Sequence, residues 1–193
     1  MKKKKKEKEL YDDCWLYILL LSTLVILLDS IKKYTFTCLN VNLTYSLFLL
    51  PVEYFIVAYI AKKYDYKKAV AAISMSGVLL VCFNATVAFF LHEQLFLTNV
   101  SGEFCGYVIS QFVFLLMYFF LMNNTKMPPI LVYGTYLFSI FVFYMFYTLV
   151  YINHINLNHY WTGFFITFII QGIICIGLVY LDNKIKRGQE TKQ

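Results

Sequence analysis

The sequence predicts an all-α, polytopic membrane protein with six transmembrane helices and both termini in the cytoplasm. Of its 193 residues, 60% are hydrophobic and only 15% are charged, and almost all of the charges lie between long apolar runs. Soluble domains contain about 45–50% apolar and about 25% charged residues. We therefore expect a single transmembrane domain over residues 11–181, preceded by a basic tail at 1–10 and followed by a second cytoplasmic tail at 182–193.

Six apolar stretches are long enough to cross a bilayer as helices, which requires about 20 residues at 1.5 Å each. Barrel strands are shorter and alternate between apolar and polar residues. Runs such as Phe112–Leu121 and Phe138–Tyr147 show no such alternation, which favours helices. The predicted spans are Tyr11–Leu28, Leu43–Ala61, Ala69–Leu91, Phe104–Met122, Ile130–Ile152 and Trp161–Leu181.

The first span follows a lysine-rich segment, as in a signal peptide. No small-residue cleavage site follows Ile26–Leu28, so we expect an uncleaved helix. In the second span, Pro51 removes a helix hydrogen bond and favours a kink two residues before Glu53. The third span opens with many small residues at 69–77, typical of close helix packing.

In the fifth span, Thr135 and Ser139 share one helix face. Their hydroxyls are expected to bond to the backbone of their own helix. The orientation of all six spans follows from the positive-inside rule. A cytoplasmic N-terminus places 15 of the 17 Lys and Arg residues on the inner side and leaves only Lys32 and Lys33 outside.

Four polar side chains are predicted to lie at one depth in the membrane, about 10–15 Å below its outer surface at 1.5 Å per helical residue. Glu53 lies midway along the second span, where an ionised group costs roughly 2.5–3.5 kcal/mol. Asn84, Gln111 and Gln171 reach a similar depth in spans three, four and six. This pattern indicates a polar cavity open to the outside. The alternative is a protonated Glu53 and amides that bridge neighbouring helices.

Motifs for other chemistry are missing from the sequence. The three histidines fall in predicted loops without a zinc-binding spacing, and the five cysteines form no CxxC pair. Nucleophile-elbow, phosphate-loop and dinucleotide-binding motifs do not occur. We therefore predict no enzyme, no metal and no cofactor. Basic residues cluster at the ends of the apolar segments. We therefore expect the positive charge of the chain to interact with lipid headgroups and not with nucleic acid.

Residues 44–80, TYSLFLLPVEYFIVAYIAKKYDYKKAVAAISMSGVLL, resemble the queuosine precursor transporter family, also called the VUT or vitamin uptake transporter family. Length and number of spans are similar over nearly the whole chain. The fourth span, GYVISQFVFLLMYF, is similar to the family's Ser-Gln helix. The positions that match the family pattern are Pro51, Tyr54, Tyr64, Lys67, Ala69, Ser110 and Gln111.

Three acidic positions of the family pattern are replaced in this chain, by Ala58, Lys62 and Phe114. The resemblance implies uptake of a small heterocycle, such as a 7-deazaguanine queuosine precursor. If the three acidic residues of the family handle substrate or protons, their replacement implies that this chain binds a different substrate or works by a different mechanism.

The leading hypothesis is therefore a solute transporter in a bacterial plasma membrane. In it, Glu53 binds a substrate amine or carries a proton, while Asn84, Gln111 and Gln171 orient the ring. Tyr54 and Tyr107 are expected to cover the faces of the ring.

Two alternatives remain open. One is the substrate-binding subunit of an energy-coupling-factor vitamin transporter, with an ATPase module docked on the small residues at 69–77. The other is a non-transporting membrane scaffold. In either case the partners are the lipid bilayer and a further protein, either an ATPase module or a second copy of the chain.

Overall fold

The computed structural model describes residues 2–31, 34–38, 41–91, 96–122, 128–151 and 157–190, with side chains described only in part of these ranges. Within them the chain forms six helices, a two-stranded hairpin and a short 3-10 turn. The elements are α1 (Lys2–Ile31), β1 (Thr35–Cys38), β2 (Val41–Thr44), the 3-10 turn (Tyr45–Phe48), α2 (Leu50–Lys63), α3 (Tyr66–Leu91), α4 (Phe96–Met122), α5 (Pro129–Tyr151) and α6 (Leu157–Glu190).

The expected fold class is confirmed, because the described chain contains six segments that are helical, apolar and long enough to cross a membrane. Their outward surface is apolar as well. Leu19 on α1, Phe120 on α4 and Ile173 on α6 are each more than 60% exposed. Side chains of this kind are stable on an outer surface that faces lipid, which identifies a multi-pass membrane protein.

Helix ends differ from the predicted spans because hydropathy marks the membrane-embedded part of a helix and not its full length. α1 begins at Lys2 and α6 continues to Glu190, so both helices extend into the segments that we expected to be tails. α4 begins at Phe96, eight residues before the predicted span. α3 and α5 lie within three residues of their predicted starts.

The second span is the one element that was predicted wrongly. Instead of a helix from Leu43, residues 41–44 form a strand that pairs antiparallel with β1, with Phe36 opposite Leu43. The Phe36 ring then packs on Tyr45 and Phe48 in the 3-10 turn, at 5.0 and 6.0 Å between ring centroids. β-branched and aromatic residues favour a short strand here over a helix.

The kink expected at Pro51 is also wrong, because α2 begins at Leu50 and Pro51 lies in its first turn. A proline at this position is favourable, since the N–H that it lacks has no partner within the helix. The second span is therefore interrupted before Pro51, over the 3-10 turn and Leu49, and is a regular helix after it.

α2 is the central helix of the bundle. It contacts α1, α3, α4, α5 and α6, while the pairs α1–α3, α3–α4, α4–α5 and α5–α6 pack around it. Aromatic side chains fill the space between α2, α4 and α5. The Phe114 ring lies 5.1 Å from Tyr54, 5.5 Å from Tyr118 and 4.9 Å from Tyr136, and all four residues are almost fully buried.

The small residues at the start of α3 are mostly buried within this chain. Ala69, Ala72 and Ser76 have no exposed surface. A side chain at Gly77 would meet Phe104 of α4, since an added Cβ would lie 3.2 Å from its Cε2 atom. Ala71 and Ser74 are exposed on the same stretch, so the docking surface suggested for an ATPase module stays a prediction.

At the other end of α2, Lys63 is surrounded by tyrosine rings. Its Nζ atom lies 4.8 Å from the ring centroid of Tyr17 on α1, 5.7 Å from that of Tyr59 and 5.0 Å from that of Tyr64. A cation over aromatic faces is attracted by their negative potential. This contact joins the C-terminal end of α2 to the middle of α1.

Candidate functional site

The site begins with Glu53, which the interruption of the second span places in the first turn of α2. Its backbone N–H donates to the carbonyl of Leu49 at 3.2 Å, as does that of Val52 at 2.9 Å. The Glu53 side chain is only 1% exposed. A carboxyl group therefore lies inside the protein, at membrane depth, next to the positive end of a helix dipole.

Gln111 of α4 is the side-chain hydrogen-bond partner of this carboxyl group. Its Nε2 atom lies 3.5 Å from Glu53 Oε2, at the long limit for a hydrogen bond. Because a carboxylate only accepts, the contact orients the amide with its nitrogen toward Glu53. Glu53 Oε1 and Gln111 Oε1 are both buried and have no hydrogen-bond partner among the described residues.

The hydroxyl groups of Tyr54 and Tyr107 are close enough to Glu53 to interact with its charge. The Tyr107 hydroxyl shares a hydrogen bond of 2.6 Å with Ser76 of α3. The Tyr54 hydroxyl donates to the carbonyl of Ser139 on α5 at 3.2 Å and also interacts with Ser110. Both tyrosines, which we predicted as substrate contacts, thus have hydroxyls that are held by protein groups.

Gln171 of α6 contacts the interruption in the second span. Its Nε2 atom donates to the backbone carbonyl of Leu47 at 3.0 Å and to the hydroxyl of Tyr144 at 3.1 Å. The carbonyl partner fixes the orientation of this amide too. Gln171 Oε1 is buried without a hydrogen-bond partner in the described part of the chain.

Asn84 is the predicted residue that the structure does not join to the others. Its side chain is half-buried on α3. Its Nδ2 atom is buried and has no hydrogen-bond partner among the described residues, so it donates to neither Glu53 nor Gln111. Of the four polar residues expected at one depth, only Glu53 and Gln111 are in direct contact.

Several polar groups of the site were missed in the sequence. Ser76 and Ser110 each also bond to a carbonyl of their own helix, the common role of a helical serine, and the one signal in the sequence was the place of Ser110 in the resembled Ser-Gln helix. Thr135 and Ser139 show the expected bonds to their own helix, to Val132 at 2.7 Å and to Thr135 at 2.8 Å.

Two positions at which the resembled family has acids are apolar and buried here. Ala58 is 1% exposed and Phe114 is fully buried in the aromatic cluster. Within the described residues, no group of three or more His, Cys, Asp or Glu side chains is placed to hold a metal ion. The arrangement offers hydrogen-bond acceptors in an aromatic surrounding, which suits an uncharged or cationic organic ligand.

The comparisons with known proteins add no family to this description. No protein-family model matches the chain, and neither a curated protein nor a solved structure matches it significantly.

Proposed function

We propose that this chain is a membrane transporter that binds a small heterocyclic solute at Glu53 and Gln111. The solute is a 7-deazaguanine queuosine precursor or a vitamin-like compound, and the membrane is a bacterial plasma membrane with both termini of the chain in the cytoplasm. One observation carries the proposal: Glu53 and Gln111 are in contact, and each has a buried oxygen, Oε1, without a hydrogen-bond partner among the described residues.

The chemistry of these atoms selects the ligand. An unsatisfied buried acceptor costs about 1–3 kcal/mol, so a ligand that donates to it recovers that energy. Two neighbouring acceptors fit a flat edge with two adjacent N–H groups, as in an aminopyrimidinone ring. The surrounding tyrosines and Phe114 supply an apolar environment in which such hydrogen bonds are strong.

The interrupted second span supports transport over a purely structural role. Secondary transporters place their binding sites at discontinuous helices near the middle of the membrane. Irregular backbone at that depth is tolerated only where protein or a water-filled cavity surrounds it. Here the interruption at the 3-10 turn and Leu49 lies directly before the turn that carries Glu53.

Uptake of radiolabelled 7-deazaguanine by cells that express the chain tests the proposal. We expect uptake above the empty-vector level, and loss of most of it in Glu53→Gln and in Gln111→Leu. A matched control is Thr86→Val, because Thr86 is exposed on α3 and its hydroxyl donates to the carbonyl of Cys82 on its own helix.

Membrane levels of each variant, measured by immunoblot, separate loss of function from loss of protein. Full uptake by the double variant Glu53→Gln/Gln111→Leu would reject the site. No uptake and no thermal stabilisation of the purified wild-type chain by deazaguanines or by a panel of vitamins would reject transport of this solute class and favour a scaffold.

A further inference from the structure

The non-helical part of the second span, Leu43–Leu49, is anchored by a side chain from the far end of the sequence. Leu43 and Leu47 are almost fully buried whereas Tyr45 and Phe48 are exposed, so one face of this segment packs against the protein interior. Backbone carbonyl groups outside regular helices need partners at membrane depth. The carbonyl of Leu47 receives its hydrogen bond from Gln171 on α6, at 3.0 Å.

The same segment determines where α2 begins. The carbonyl of Leu49 accepts the first-turn N–H groups of Val52 and Glu53, at 2.9 and 3.2 Å. A shift of Leu43–Leu49 therefore changes the position of the Glu53 carboxyl group relative to Gln111. Gln171 has no hydrogen bond to Glu53, since its Nε2 is bound elsewhere and its Oε1 has no partner among the described residues, so any effect on Glu53 passes through this backbone.

We propose that Gln171 is a positioning residue that holds segment Leu43–Leu49 against α6 and so closes the Glu53–Gln111 site on the side of the hairpin. Tyr144 assists by accepting the second N–H of the same amide, at 3.1 Å. As a description of access to the site, this inference rests on the proposed function. It reassigns Gln171 from a solute contact to a residue that governs whether the solute can enter.

Three features make this contact suited to opening. It comes from a distant helix, whereas the backbone bonds of the segment join it to nearby residues, as in the pairing of β2 with β1 and the bond from the Tyr45 N–H to the Tyr34 carbonyl. α6 contacts both β2 and the 3-10 turn, so it supports both parts of the segment, together with β1, α1 and α2. Among the described residues Gln171 Oε1 has no hydrogen-bond partner, so the amide is able to change its bonds when the segment moves.

Hydrogen–deuterium exchange of the purified chain in lipid nanodiscs tests this inference without a solute. Removing one interhelical hydrogen bond in a membrane protein shifts an opening equilibrium about three- to tenfold. We therefore expect Gln171→Leu to speed exchange of the amides at 43–49 by that factor. Amides at 54–60, inside α2, serve as the internal reference and should be unchanged.

The matched control is Gly177→Ala on the same helix, where an added Cβ meets no atom within 4 Å. It should exchange like the wild type. Tyr144→Phe is the second variant, which keeps the ring and removes only the hydroxyl acceptor. Tyr144→Phe should increase the exchange rate of the amides at 43–49 by less than Gln171→Leu does. If Gln171→Leu does not fold, Tyr144→Phe still tests the contact.

Exchange at 43–49 in Gln171→Leu and Tyr144→Phe equal to that of the wild type would overturn the inference. The result is distinguishable from a failure of the proposed function. Faster exchange together with no uptake of any solute would reject transport and leave the Gln171 contact established. Normal uptake together with unchanged exchange would reject only the role of Gln171.

Discussion

Removing both partners of the Glu53–Gln111 contact should make the protein more stable and inactive. The double variant Glu53→Leu/Gln111→Leu replaces two buried polar side chains by apolar ones of similar size. It eliminates two acceptor atoms that lack donors in the described structure, each of which costs about 1–3 kcal/mol. It loses one hydrogen bond of 3.5 Å, whose net contribution is about 1 kcal/mol.

The balance is a net stabilisation of about 1–5 kcal/mol. For a domain of this size, each kcal/mol raises the midpoint of thermal unfolding by about 2–4 °C. The assay is thermal unfolding of the purified chain in one detergent, followed by intrinsic fluorescence and by circular dichroism. Coincident transitions from the two probes are required before midpoints are compared.

A satisfied polar pair in the same bundle provides the control. Ser76 and Tyr107 share a hydrogen bond of 2.6 Å, and Ser76→Ala/Tyr107→Phe removes it with little change in shape. This control should lower stability by about 0.5–1.5 kcal/mol. If the Glu53/Gln111 variant loses as much stability as this control, the carboxyl–amide contact is a structural bridge between α2 and α4, and the reasoning that assigns it to a solute fails.

The other predictions concern parts of the chain outside that contact. Lys63→Met should lower the free energy of unfolding by about 0.5–2 kcal/mol, because it removes the cation from the three tyrosine rings. Lys63→Arg keeps a cation there and should retain most of the wild-type stability. Chemical denaturation of both variants measures the difference. Pro51→Ala should destabilise by about 0.4–1 kcal/mol, since the proline fits the first turn of α2, whereas a gain in stability would indicate a proline inside a helix. Gly77→Leu should destabilise by about 1–3 kcal/mol, because Phe104 lies 3.2 Å from an added Cβ, and the midpoint of thermal unfolding reports it. In whole cells, a membrane-impermeant maleimide should label the exposed Cys105 in a variant that retains only this cysteine, and protection of Cys105 would reverse the proposed orientation.

Hydropathy and charge were enough to predict the six helices, because lipid requires long apolar segments whose backbone is internally bonded. The second span shows the limit of this argument. Residues 41–48, VNLTYSLF, are as apolar as a helix but form a strand and a 3-10 turn, and periodicity does not separate these states in short runs. One signal was present: proline is common in the first turn of a helix, so Pro51 marked the start of α2.

The sequence predicted only the part of the candidate site that follows from the depth of each residue in the membrane. Counting residues along two separate spans brought Glu53 and Gln111 to one level, and the structure places them in contact. The same counting grouped Asn84 with them, although depth says nothing about the side of the helix on which a residue lies. The bond from Gln171 to Leu47 joins positions 124 residues apart and ends on a backbone carbonyl, which no side-chain pattern can reveal.

The interruption of the second span and the buried carboxyl group are connected by one physical requirement. A helix that begins inside the membrane exposes unpaired N–H groups at its first turn, and these groups need acceptors there. In this chain Pro51 removes one such N–H, while Leu49 accepts those of Val52 and Glu53. The remaining positive potential at the start of α2 favours a negative or strongly accepting group, which the Glu53 side chain supplies. A continuous helix through residues 43–61 would offer no such environment, so the carboxyl group at this depth depends on the break before α2, where Gln171 donates a hydrogen bond to the carbonyl of Leu47.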